Sequence, residues 1–173
     1  MSGKASELKR FAWVMGLSLL AIAAILALQP GSTDLAAILQ IRPQLDLEPL
    51  WRAPVLIQVH VLTVFYALLV GPIQFLLPKG TTLHRGLGWS WVLAMFVTAI
   101  TSLGIREIND GAFSPIHFFS VWTLISLPLA IWFARAGKIA SHQSTMIGLY
   151  VGLVIAGLLA IAPGRLIWDM FFG

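Results

Sequence analysis

The chain has four histidines, His60, His84, His117 and His142, each near one end of a different hydrophobic segment. The ends alternate along the chain. If the segments cross a membrane in succession, His60 and His117 come to one face, and His84 and His142 to the other. Two imidazoles facing each other at a common depth are what a b-type haem needs for axial ligation. With both pairs filled, all four histidines would be metal ligands and two haems would stand in series across the bilayer.

The segments that carry them have the composition of membrane spans. Apolar residues make up 58% of the 173 residues and charged residues 10%, against roughly 25% charged in an ordinary soluble domain. Uninterrupted apolar runs of about 18 residues or more predict transmembrane helices over roughly 11–29, 54–77, 86–105, 115–134 and 143–163. The linkers 78–83, 106–114 and 135–141 are short, which makes consecutive segments antiparallel neighbours. The expected fold is an all-α integral membrane protein, residues 1–173 forming one membrane domain. The last four helices form an up-down bundle and the first packs outside it. The longer stretch from Gln29 to Ala53 holds a weakly amphipathic piece, Leu35 to Ile41, that suits a short interfacial helix.

The net charge of +4 would suggest a polyanionic partner in a soluble protein, but here the charges sort by topology. With the N-terminus inside, the inner loops receive Lys4, Lys9, Arg10, Lys79, Arg85, Arg135 and Lys138. The outer loops receive Arg42, Arg52, Arg106 and Arg165, together with six of the seven acids. That is the bias of the positive-inside rule, so the expected topology is N-in, C-out, and no nucleic acid is implied. The first segment, though preceded by Lys9-Arg10, has an apolar run longer than a usual signal h-region and reads as a retained anchor. There are no cysteines, which excludes disulfides, iron–sulfur ligation and covalently attached c-type haem. Six of the seven tryptophans fall near segment ends, the usual aromatic belt; Trp122 falls inside a span, where core packing or contact with a cofactor would place it.

At 1.5 Å per residue, His60 lies about 8 Å and His117 about 11 Å outward of their segment midpoints. His84 and His142 lie about 16 Å inward of theirs, at the edge of a hydrocarbon core about 30 Å thick. Each pair therefore matches in depth. The alternative for each is an interhelical hydrogen bond or an interfacial position that needs no ligand. Gly88, one turn after His84 on the same helical face, offers bare backbone to a flat ring; Gly71 falls near the His60 face. Gly148 and Gly152 have the small-xxx-small spacing of close helix packing. Arg85 beside His84, and Arg165, for which the inside-positive rule does not ask, are candidate partners for haem propionates. Gln74, two heptads from His60, points into the bundle and needs a partner there. Thr98 and Ser102 share the His84 face and are expected to bond neighbouring backbone.

Three stretches carry a resemblance: the run from Phe75 through Leu83-His84-Arg85-Gly86 to Trp89, Ser114-Pro115-Ile116-His117-Phe118, and Met146 to Tyr150 with Pro163-Gly164-Arg165. They resemble a bacterial membrane-protein family designated a domain of unknown function, number 2306, over most of residues 55–166. The placement of histidines on four consecutive helices is similar to that in the dihaem cytochrome b-561 family. That second resemblance implies transmembrane electron transfer, with His60 and His117 on an outer haem and His84 and His142 on an inner one. Five segments stand here where eukaryotic members of that family have six.

The sequence thus points to two bis-histidine b-type haems, or one, in a multi-pass protein of the bacterial inner membrane. It would be a membrane oxidoreductase linked to quinone or a small reductant. A cofactor-free accessory or scaffold subunit of a larger complex, or a homodimer, is the alternative. A proton relay through His60 and His117 ranks third, since no carboxylate lies in any span.

Overall fold

The computed structural model describes residues 45–106, 113–114, 116–161 and 165–172. The expected first span and the Leu35–Ile41 piece lie outside the described residues. Among the described residues every regular element is helical: α1 Glu48–Arg52, α2 Val55–Leu76, α3 Thr82–Gly104, α4 His117–Arg135, α5 Ile139–Leu159 and α6 Leu166–Phe172. Helices α2 to α5 are long and apolar enough to cross a membrane.

Local chemistry moves two helix starts away from the positions hydropathy alone suggests. Helix α3 begins at Thr82 because the Thr81 hydroxyl accepts the His84 N–H at 3.2 Å, capping the first turn. Helix α4 closes at Gly137, whose φ of +72° suits only glycine, with the Lys138 N–H reaching back to the Phe133 carbonyl at 2.9 Å. That tight stop lets α5 start at Ile139. His84 and His142 consequently lie within helices, about 13 Å and 10 Å from the helix midpoints, deeper than the sequence estimate. His117, in contrast, opens α4 and lies about 13 Å from its midpoint, nearer the membrane edge than His60 at about 8 Å.

Helix α2 packs along α3, α3 along α4 and α4 along α5, with α2 closing more lightly on α5. Lipid is as apolar as leucine, so packing and hydrogen bonds, not burial from water, must hold spans together. Both are present. The core contains Ala67, Trp91, Met95, Leu127, Leu149 and Tyr150, while Leu69, Leu76 and Leu93 point outward. Hydroxyl pairs join neighbouring helices: Thr98 to Thr63 and Ser120 to Ser102, both at 2.8 Å, and Tyr66 to Ser90 at 2.7 Å. Thr98 and Ser102 therefore bond across helices, not only to nearby backbone as the sequence suggested.

One internal proline organises the α2–α5 contact. Pro72 has no N–H, so the Leu68 carbonyl loses its helical partner; the Tyr150 hydroxyl donates to it at 3.3 Å. The Tyr150 ring lies against Gly71, where any Cβ would collide with it. Trp91, grouped by sequence with the interfacial belt, is 2% exposed and donates Nε1–H to the Ala67 carbonyl at 2.9 Å. Trp122 has the reverse outcome, standing about half exposed on the outer surface. Helices α1 and α6 pack Leu50 and Met170 against Val61 at the end of the molecule that carries His60.

Candidate functional site

Each of three histidines ties two helices that are consecutive in the chain. From α2, His60 Nδ1 lies 3.1 Å from the Thr98 carbonyl and 3.0 Å from Thr101 Oγ1, both on α3. Thr101 Oγ1 already donates to α3 carbonyls, and a carbonyl accepts only, so His60 carries its proton on Nδ1 and donates. From α5, His142 Nδ1 donates to the Ala130 carbonyl of α4 at 2.9 Å. An imidazole held through Nδ1–H in this way keeps the Nε2 lone pair for another partner, the usual arrangement of a metal-ligating histidine.

His117 is held differently. Its Nδ1 accepts the Ser114 N–H at 2.9 Å, which requires the proton on Nε2, and Nε2 lies 3.1 Å from the Ile105 carbonyl beyond the end of α3. Both ring nitrogens are spent. The ring is buried, with Phe113 edge-on at 5.1 Å and the Arg106 guanidinium over the other ring at 4.2 Å. This is a clasp joining the end of α3 to the start of α4. The sequence carried its signal in Ser114-Pro115-Ile116-His117: a proline and, three residues after a serine, a side chain able to reach back to the serine N–H, as in a capping box.

His84 is the exception. It is half-buried, and its Nδ1 is buried with no hydrogen-bond partner among the described residues. Lys79 and His142 both lie within electrostatic reach of it, although α3 and α5 do not pack directly on each other. A second orphan lies on α2. Gln74 is 8% exposed, as its heptad position required, yet its Nε2 is buried without a partner. A Cβ built on Gly88 would lie 3.9 Å from Gln74 Oε1 and meet nothing closer. The Gln74 side chain therefore already lies against this stretch of α3 backbone, one turn beyond His84.

The remaining candidates separate. Gly71 is covered by Tyr150 and offers no surface to a ring. Gly152 packs near Phe119 and Gly148 faces outward. Arg165 donates to the Leu159 carbonyl at 2.8 Å, capping the end of α5; Arg85 is exposed beside His84. An open recess of about 340 Å³ lies elsewhere, between α3 and α4, lined by Trp89, Pro128, Ile131, Trp132 and Arg135. No group of three or more metal-ligating side chains occurs among the described residues.

A bis-histidine haem can be judged against this geometry end by end. At the His60 and His117 end it does not fit, because His117 would have to give up its bond to Ile105. At the His84 and His142 end neither ring is fully committed: His142 is oriented through Nδ1, and His84 Nδ1 has no partner among the described residues.

A family model described as "Predicted membrane protein (DUF2306)" matches residues 57–172, close to the extent over which the sequence motifs suggested that resemblance. No curated protein and no solved structure matches the chain.

Proposed function

This chain belongs to the DUF2306 family of predicted membrane proteins, a description that names no activity, and from the site itself we propose that it transfers electrons through a single b-type haem held by His84 and His142. The observation that carries the proposal is the contrast among the four imidazoles. Three are tied to the protein through a ring nitrogen, and His84 Nδ1 is buried without a partner among the described residues. A buried polar atom left without a bond costs roughly 1–3 kcal/mol, which a folded chain tolerates most readily where a ligand completes the site.

In this reading His84 and His142 supply the axial nitrogens. The Ala130 carbonyl fixes the His142 tautomer and raises the basicity of the ligating nitrogen. Arg85, exposed beside His84, is placed for a propionate. When bound, the haem supplies a one-electron couple whose potential depends on its axial ligands and the polarity around them. Apolar side chains of the four spans, Leu127, Leu149 and Trp91 among them, keep water from the core behind the site. His60 and His117 act as helix ties in this account, so the outer haem implied by the cytochrome b-561 resemblance is not retained.

The finer architecture belongs to the same proposal. The four spans form an up-down bundle beside the additional segment at 11–29, with the N-terminus and the His84–His142 end inside and the C-terminus outside, as the sorted basic residues suggest. A multi-pass position in the bacterial inner membrane, with a quinone or a small reductant as electron partner, fits that topology and makes the protein a membrane oxidoreductase. One observation favours the cofactor-free accessory subunit instead: the helix ties of His60, His117 and His142 explain three histidines without any ligand.

Spectra of the detergent-purified protein separate the two. One haem per chain with sharp reduced bands, lost in His84→Ala and retained in His117→Ala, supports electron transfer. A colourless protein from haem-replete cells supports the accessory subunit.

A further inference from the structure

The recess of about 340 Å³ between α3 and α4 takes no part in the histidine chemistry. One side of it is a single face of α4. Pro128, Ile131, Trp132 and Arg135 fall at i, i+3, i+4 and i+7, the spacing that aligns side chains along a helix. Trp89 of α3 forms the other side. The lining is graded along the span: Pro128 lies near the middle of α4, Ile131 and Trp132 follow, and Arg135 ends the helix about 10 Å from Pro128 along the axis. Trp89 and Trp132 are 54% and 53% exposed, so the recess opens sideways, where lipid would lie. A second cation stands beside it, Lys138 Nζ lying 4.6 Å from the centre of the Trp132 ring. Neither cation is neutralised. Among the described residues the Arg135 guanidinium has no hydrogen bond or ion pair, and Lys138 has no carboxylate partner. The described acids, Asp46, Glu48 and Asp169, lie with α1 and α6 at the opposite end of the molecule.

We propose that this recess binds an anionic phospholipid, its phosphate on Arg135 and Lys138 and the start of an acyl chain against Pro128 and Ile131. The volume falls within the roughly 300–1,000 Å³ of small-molecule clefts. Charge selects the headgroup. A planar guanidinium pairs with two phosphate oxygens at once, and anionic headgroups settle in basic pockets between membrane helices. A zwitterionic lipid would bring its own ammonium among two cations that have no acid near them. Depth selects a lipid over a free anion. Trp89 and Trp132 stand at the level of an aromatic belt, where headgroup and hydrocarbon meet, and inorganic phosphate would leave the apolar part of the recess unfilled. The site uses none of the residues given to the haem.

Native mass spectrometry of the purified full-length protein tests this. The protein, in a neutral detergent, is mixed with equal amounts of phosphatidylglycerol and phosphatidylcholine of matched chains, and the lipids retained are counted. The wild type is expected to keep one phosphatidylglycerol per chain, with at least ten-fold preference over phosphatidylcholine. Arg135→Gln combined with Lys138→Gln should remove that preference. Lys79→Gln, which takes one charge from the same end of the molecule outside the recess, should leave it unchanged. Ile131→Phe keeps every charge and narrows the recess, so it should release the lipid even where the double variant folds poorly. Equal retention of the two lipids by the wild type overturns the proposal, as does a preference that survives both the double variant and Ile131→Phe. A loss in Lys79→Gln as large as in the double variant overturns the site, because the general charge of that end would then explain the binding. Displacement of the lipid by inorganic phosphate overturns the ligand, making it a free anion.

Discussion

His117 Nε2 donates to the Ile105 carbonyl at 3.1 Å, joining the residue that follows α3 to the first residue of α4. The same ring accepts the Ser114 N–H at 2.9 Å. The connection between the two spans is therefore closed by one side chain, a histidine whose type and depth had suggested a haem ligand.

Replacement of His117 by alanine should for that reason cost stability and not cofactor. Two bonds are lost and the Ile105 carbonyl is left without its partner, a destabilisation of about 1–3 kcal/mol. Thermal unfolding in detergent should show a lower midpoint while the haem content per chain stays at the wild-type value. Loss of haem with unchanged stability would make His117 a ligand after all.

Gln74 predicts the opposite sign. Its amide is buried and unpaired in the ligand-free chain, so Gln74→Leu removes a polar group that has no compensation and supplies a side chain of similar size. The ligand-free variant should be more stable by about 1–2 kcal/mol. A Gln74→Leu protein that unfolds at a lower temperature would show that the amide has a structural partner.

The α2–α5 contact is tested at Gly71. A methyl group there runs into the Tyr150 ring, and overpacking of this kind costs about 1–3 kcal/mol. Gly71→Ala should lower the unfolding midpoint, and the loss should shrink markedly in a Tyr150→Leu background. Gly148→Ala, on an exposed face with nothing within 4 Å, should be neutral. Additive losses from Gly71→Ala and Tyr150→Leu would mean that the two residues do not meet.

The proposed orientation has a direct check, because the chain contains no cysteine and single ones can be placed at will. In intact cells an impermeant maleimide should label Arg106→Cys, between α3 and α4. Ala136→Cys, between α4 and α5, should be labelled only after permeabilisation. The reverse pattern would invert the topology.

The four described spans were legible from hydropathy because lipid demands long apolar helices with every backbone group bonded internally. Their exact starts were not, since Thr81 and Gly137 set them through capping chemistry that an average over eighteen residues does not register. Gln74 was placed correctly by periodicity alone. Histidine depth was readable to within about 6 Å, a little more than one turn. What depth cannot tell is where each ring nitrogen points: His60 and His117 occupy the same half of the membrane, yet one bonds Thr98 on α3 and the other Ile105, and no pattern along one helix encodes its neighbour's carbonyls. Trp91 and Trp122 were exchanged between belt and core for a similar reason, because a tryptophan near a helix end reads as interfacial until a neighbouring helix offers its N–H a partner, here the Ala67 carbonyl of α2.

The most direct measurement is haem per chain, by pyridine haemochrome assay and reduced-minus-oxidised spectra, on protein purified from haem-replete cells with the His84→Ala, His142→Ala, His60→Ala and His117→Ala variants alongside. The account predicts one haem per chain, lost in either of the first two variants and kept in the last two. A colourless wild type, or a haem that survives His84→Ala and His142→Ala, would contradict it.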